Sequence, residues 1–172
     1  MTKLYHIFRE DLKGTTLYPL NLLKKIYPSV YKNQVKKYEG REELMKRMIP
    51  ILSCLWNDVI HLCPVHPSKI KDAFLEAGCE YKEMSYWVID PKSLKSKDTV
   101  IFLYTTDEGY IEEDFVPFSD KLLEKYSEVP AASKNYFRKC AAEKRKPLFF
   151  HRVPHVLYKG IIKVGNLEVI TA

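Results

Sequence analysis

The chain has 172 residues, of which 46% are apolar, 13% aromatic and 29% charged, a composition that excludes intrinsic disorder and suits one globular domain spanning 1–172. Its 28 Lys and Arg outnumber its 22 Asp and Glu, a balance that favours phosphate-bearing partners without demanding them. Four cysteines without a CxxC pair argue against a disulfide scaffold, and no apolar run reaches signal-peptide or membrane-span length, so a cytoplasmic protein with reduced thiols and no membrane partner is expected.

Residues 4–8 read as a short strand, turned out by Asp11-Leu12-Lys13-Gly14. Leu20, Leu23 and Ile26 recur at helical spacing before Pro28. Residues 30–38 continue as a second helix stopped by Gly40, and 41–48 as a third ended by Pro50. Residues 59–63 form a buried strand, preceded by the polar turn Asn57-Asp58. Pro67-Ser68 opens a helix through Ala77, with Gly78 as its stop. Strands follow at 84–89 and 99–104, separated by Asp90-Pro91-Lys92-Ser93-Leu94. After an acidic stretch at 107–114 come helices at 120–126 and 130–144. Strands at 148–150, 160–164 and 167–171 finish the chain, the last two joined by Gly165-Asn166 as a tight hairpin. Helices crowd the first third and strands the remainder, which suits an α+β domain better than strict βαβ alternation.

Three histidines stand in strand-like surroundings at the start, middle and end: Leu4-Tyr5-His6-Ile7, Val59-Ile60-His61-Leu62-Cys63 and Val153-Pro154-His155-Val156-Leu157-Tyr158. If folding gathers them into one cleft, their imidazoles can donate, accept or carry charge near neutral pH. Cys54, His61, Cys63 and His66 are four zinc donors within one segment, but knuckle spacing is absent and cysteines on an apolar strand pack as core. No metal is expected. A Cys63 nucleophile would need His66 or His155 as base, while its apolar flanks would raise the thiol pKa instead.

His151 and His155 stand four apart around Pro154, which opposes a helix, and Arg152 beside them is a natural two-pronged anion partner. Neither GxGxxG nor GxxxxGK[ST] occurs, so the sequence supports neither a Rossmann fingerprint nor a P-loop. The helix over 130–146 ends in Lys144-Arg145-Lys146, which can meet nucleic-acid phosphates or simply complement its own dipole.

Taken in order, Tyr5-His6-Ile7, Ile60-His61-Leu62-Cys63, the run from Trp87 to Leu94, and Pro154-His155-Val156-Leu157-Tyr158 resemble a small, largely uncharacterised bacterial family. That family has the ADP-ribosyltransferase-like fold and is distantly similar to RNA 2'-phosphotransferases and DNA-modifying ADP-ribosyltransferases. The resemblance implies a split, curved, mixed or antiparallel sheet flanked by helices, with a cleft that holds NAD in active relatives. Carried over, His6 lies near the nicotinamide-ribose end, His61 on the adjacent strand, and His155 approaches with Tyr158 from the last part of the sheet. His6, His61 and His155 are then the catalytic candidates, and Tyr5, Arg9, Arg152 and Tyr158 the cofactor-binding ones.

Departures accompany the match. No glutamate stands near His155, where active transferases place one; His151 and Arg152 are found instead. The inserted segments 19–48 and 119–146 make the chain longer than typical relatives. The function expected from the resemblance is ADP-ribosyl- or phosphotransferase-type chemistry on NAD, ADP-ribose or another phosphate-bearing nucleotide, with transfer to a macromolecule, as in a toxin acting on a host target. The alternative is a non-catalytic module whose basic, tyrosine-rich surface binds RNA or DNA.

Overall fold

The computed structural model describes residues 1–107 and 111–172. In chain order its strands are β1 (Leu4–Ile7), β2 (Thr16–Leu17), β3 (Met48–Ile49), β4 (Cys54–Leu55), β5 (Ile60–Leu62), β6 (Ser85–Ile89), β7 (Thr99–Phe102), β8 (Phe115–Pro117), β9 (His155–Tyr158), β10 (Ile162–Lys163) and β11 (Val169–Thr171). The α-helices are α1 (Leu20–Ile26), α2 (Pro28–Val35), α3 (Pro67–Glu76), α4 (Asp120–Lys125) and α5 (Ala131–Ala142).

Local chemistry sets many of these bounds. Pro28 cannot extend α1 and instead opens α2, where its fixed φ suits the first turn. Pro67 does the same for α3, whose free amide at Ser68 donates to His66 Nδ1 at 3.2 Å, while Gly78 supplies the left-handed φ of +80° beyond its end. Ser119 Oγ caps α4 by accepting from Leu122 N–H at 3.3 Å.

The chain is a mixed α+β structure whose described ladders are all antiparallel. Three strands pair in the order β1-β6-β11, and four in the order β5-β9-β7-β8. A single bridge, Tyr5 to Cys63, connects the two sheets. Two further pairs, β10 with β2 and β3 with β4, stand apart. Leu4, Leu62, Trp87, Ile89, Ile101 and Val156 pack into one core cluster; Ile70, Phe74, Tyr86, Phe137 and Val153 form a second beneath α3 and α5. Leu20, Leu23, Val30 and Tyr38 make a small separate core inside the helical segment.

Three expectations need correction. Residues 148–150 form no strand: Phe149–Arg152 is a turn, and Arg152 takes a left-handed φ of +59°. Residues 160–164 and 167–171 do not pair as a hairpin. Ile162 and Lys163 pair with Leu17 and Thr16, and Val169–Thr171 pair with β6. Neither Gly165 nor Asn166 has the positive φ that a tight hairpin turn requires. A Cβ on Gly165 would meet Thr15 Cγ2 at 2.9 Å, so the glycine serves close approach to the neighbouring chain. Residues 41–48 form no α-helix: a short 3-10 turn, Glu42–Lys46, is followed by Met48 at the start of β3. The acidic stretch at 107–114 is described except for 108–110, which lie outside the described residues. No helix among the described residues is long and apolar enough to cross a membrane.

Candidate functional site

Beyond the bridge, β1 and β5 form no further ladder, and a cavity of about 790 Å³ lies against both. That volume falls in the range of small-molecule sites. His6, His61 and His155 all line it. Strand alternation alone does not put them together. Tyr5 and Cys63 are directly paired and share a face, which places His61 on that face and His6 on the other. Both nevertheless line the cavity, together with Ile60 from one face of the sheet and Phe102 and His155 from the other. His155 lies directly opposite Phe102 in the β7–β9 ladder.

Two of the rings have an assigned tautomer. His6 Nδ1 lies 2.8 Å from the Ile7 carbonyl, and His155 Nδ1 lies 2.7 Å from the Val153 carbonyl. A carbonyl only accepts, so both Nδ1 atoms carry hydrogen and both Nε2 atoms present a lone pair. His61 Nε2 is buried without a hydrogen-bond partner, and so is Oδ1 of Asn57, another lining residue. Nε2 of His151 is a third such atom in the lining, and because buried polar atoms are rarely left without a partner, the cavity wall presents unused hydrogen-bonding capacity.

All three imidazoles are held neutral. Burial, followed by the nearby Arg9, pushes His6 down to about 3 against the raising effect of the Ile7 carbonyl. Burial lowers His155 to about 4, and burial with Lys37 and the other two histidines takes His61 well below its ordinary value. At neutral pH these groups can form hydrogen bonds but do not carry charge.

The charge comes from elsewhere. Arg9, Lys13, Lys37, Arg41 and Arg47 line the cavity, against Glu43 and Asp107. Among the described residues neither Arg9 nor Lys37 takes part in an ion pair. Desolvation, then Arg9 and Arg41, lowers the Lys37 ammonium to about 8. Arg9 and Arg47 are half-buried, whereas Lys13, Lys37 and Arg41 are exposed, so the lining carries a positive charge open to solvent on one side. Trp56 supplies an aromatic wall: its ring centroid lies 4.7 Å from that of His61, 5.4 Å from Phe102 and 5.3 Å from the Arg47 guanidinium.

A fourth histidine completes the lining. His151 Nε2 lies 3.0 Å from Asp107 Oδ1, its Nδ1 is 3.4 Å from the Tyr104 hydroxyl, and Tyr136 stacks on its ring at 3.6 Å. Sequence reasoning placed His151 in a loop beside Arg152 without a role. Lys37, Arg41, Arg47 and Trp56 were not singled out, since nothing in the run of charged residues around Gly40 distinguishes the cations from a solvated face.

The expected cofactor-binding residues divide. Arg9 lines the cavity. Tyr5 does not: it is buried on the other side of β1, edge-on to His66 with centroids 5.0 Å apart. Tyr158 is in the core, folded over Gly160, where an added Cβ would sit 2.5 Å from its ring. Arg152 is committed to protein groups. Its Nε donates to the Tyr104 carbonyl at 2.9 Å, another nitrogen donates to the Thr105 carbonyl, and Nη1 lies 3.4 Å from Asp107 Oδ2. It holds the cavity wall and offers no free fork to a ligand.

All four cysteines are buried and free, and burial pushes the Cys63 thiol up to about 12, which removes it as a nucleophile. No group of three or more His, Cys, Asp or Glu side chains placed to share a metal ion occurs among the described residues. No protein family, curated protein or solved structure matches this chain.

Proposed function

We propose that the cavity binds a nucleotide of the NAD or ADP-ribose class, and that the protein is an ADP-ribosyltransferase-like enzyme. The observation that carries this reading is the meeting of His6, His61 and His155 with Arg9, Lys37 and Arg41 around one cavity. A dinucleotide combines a pyrophosphate, ribose hydroxyls and flat rings. The cations suit the first, the bare Nε2 atoms of His6 and His155 accept from the second, and Trp56 with Phe102 offers a surface for the third. In this reading the strand histidines position the ribose, and the short polypeptide between α2 and β3 clamps the phosphates.

Calorimetric titration with NAD, ADP-ribose and adenosine tests the assignment. Binding of the two phosphate-bearing ligands, weakened at least tenfold by His61→Ala or Arg9→Ala, is expected. Equal affinity for adenosine, or no binding at millimolar ligand, overturns it. Binding of single-stranded RNA with a steep salt dependence, unaffected by His61→Ala, would instead favour the nucleic-acid module.

A further inference from the structure

We propose that the Tyr104 hydroxyl is the group that exchanges a proton with the ligand, with His151 and Asp107 behind it as the pair that receives and stabilises that proton. The inference rests on the nucleotide reading of the cavity and adds to it the site of acid–base chemistry.

Tyr104, His151 and Asp107 all line the cavity. His151 Nε2 lies 3.0 Å from Asp107 Oδ1 without hydrogen-bond geometry at rest, so the carboxylate is placed to pair with an imidazolium, while Nδ1 is the ring nitrogen facing the Tyr104 hydroxyl at 3.4 Å. At His6 and His155 the Nδ1 atoms rest on carbonyls, which cannot compensate an imidazolium as a carboxylate does.

The arrangement is held from every side. Tyr136 stacks on the His151 ring, and Ser133 Oγ donates to the His151 carbonyl at 2.8 Å. Tyr104 and Arg152 both adopt left-handed backbone, with φ of +56° and +59°, and Arg152 binds the Tyr104 and Thr105 carbonyls. Two strained non-glycine residues tied to one another and to the same cavity wall mark a place where geometry is kept against a local cost.

The charged and titratable groups around His151 are Asp107, Arg152, Arg145, Tyr104 and Tyr136. Burial lowers its pKa first, Asp107 opposes that, and the two arginines add to the lowering. The proton step balances as follows. The ligand's O–H bond breaks as a new O–H bond forms on Tyr104, while the original phenolic proton passes to His151 Nδ1. The ligand oxygen keeps its electron pair, Tyr104 ends neutral, and an imidazolium stands against the Asp107 carboxylate.

Nitrogen-15 NMR of the histidine rings in the full chain, with and without ADP-ribose, tests this. His151 should be protonated at Nε2 and titrate above His6 and His155. Asp107→Asn, at a half-exposed position, should lower its midpoint by about one pH unit. ADP-ribose should move the His151 midpoint in the native chain but not in Tyr104→Phe, while the His61 signal responds in both. A hydrogen on Nδ1 of His151, an unchanged midpoint in Asp107→Asn, or an undiminished ligand response in Tyr104→Phe overturns the proposal. If ADP-ribose moves no histidine signal, the nucleotide reading fails, and the tautomer and the Asp107→Asn titration still decide whether the pair behind Tyr104 exists.

Discussion

Tyr5 and Cys63 exchange both of their backbone hydrogen bonds, each 2.9 Å long, and this one bridge ties the β1 sheet to the β5 sheet. No further ladder joins the two strands, and His6 and His61, one residue and two residues away from the bridge, both line the cavity.

Because the Tyr5 side chain turns away from that opening, Tyr5→Phe should leave ADP-ribose affinity within about twofold, as should Tyr158→Phe in the core, whereas His61→Ala should weaken it at least tenfold. Calorimetry separates these outcomes. A large loss in either tyrosine variant would place those hydroxyls on the ligand.

Acid should destabilise the fold through the neutral histidines. The pKa values of His6 and His155 fall from the ordinary 6.5 to about 3 and about 4, so the unfolded chain binds more protons than the native one between those values. Stability from these groups is complete above pH 6.5 and declines as pH drops toward 4. For His155 alone the difference corresponds to about 3 kcal/mol. Urea unfolding at pH 7 and pH 4.5 should show a smaller pH effect in His155→Asn than in the native chain.

Lys37 acts in the opposite sense to a stabilising cation. Its ammonium is lowered from 10.5 to about 8 by desolvation, then by Arg9 and Arg41, so stability from this group rises with pH across that window, by an amount that solvent reduces at this exposed position. Lys37→Gln should therefore change the melting temperature of the free protein at pH 7 only slightly, upward, and weaken ADP-ribose binding about tenfold. The native chain should also take up protons on binding at pH 8, seen as a buffer-dependent heat that Lys37→Gln abolishes.

Arg152 fastens the wall formed by residues 104–107, and its planar fork serves two carbonyls and a carboxylate together. Arg152→Ala should cost about 2 kcal/mol in denaturant unfolding and expose this wall to limited proteolysis. Arg152→Lys should not restore either property, because a point charge cannot reproduce the fork.

Buried thiols should be slow to react. Burial raises the pKa of Cys54, Cys63 and Cys79, with Cys63 at about 12. Iodoacetamide at pH 8 should modify none of the four cysteines in the native protein on a timescale that alkylates all four in urea, as intact mass would record.

Much of the fold was legible. Pro28, Pro67 and Gly78 mark helix ends by backbone restriction, and Asp90 Oδ1 accepts from Lys92 N–H at 2.9 Å in the turn expected there. The terminal segments misled because Ile162 and Val169 each carry strand preference without naming a partner. Leu17 and Trp87, far away in sequence, provide those partners. The site divides in the same way. The strand histidines stand out because imidazoles on apolar strands are conspicuous, whereas Lys37 and Arg41 look like any solvated face until a wall opposes them.

Residue chemistry by itself determined the α+β class, the chief helix stops and three histidines worth following, since backbone restriction and side-chain type act over a few positions. Only the tertiary structure decided that those histidines share a cavity with Arg9 and Lys37, that Tyr5 and Tyr158 belong to packed interior, and that His151 meets Asp107 and Tyr104. The reason is geometric: which faces meet depends on where β1 and β5 separate, and strand periodicity ends at that gap.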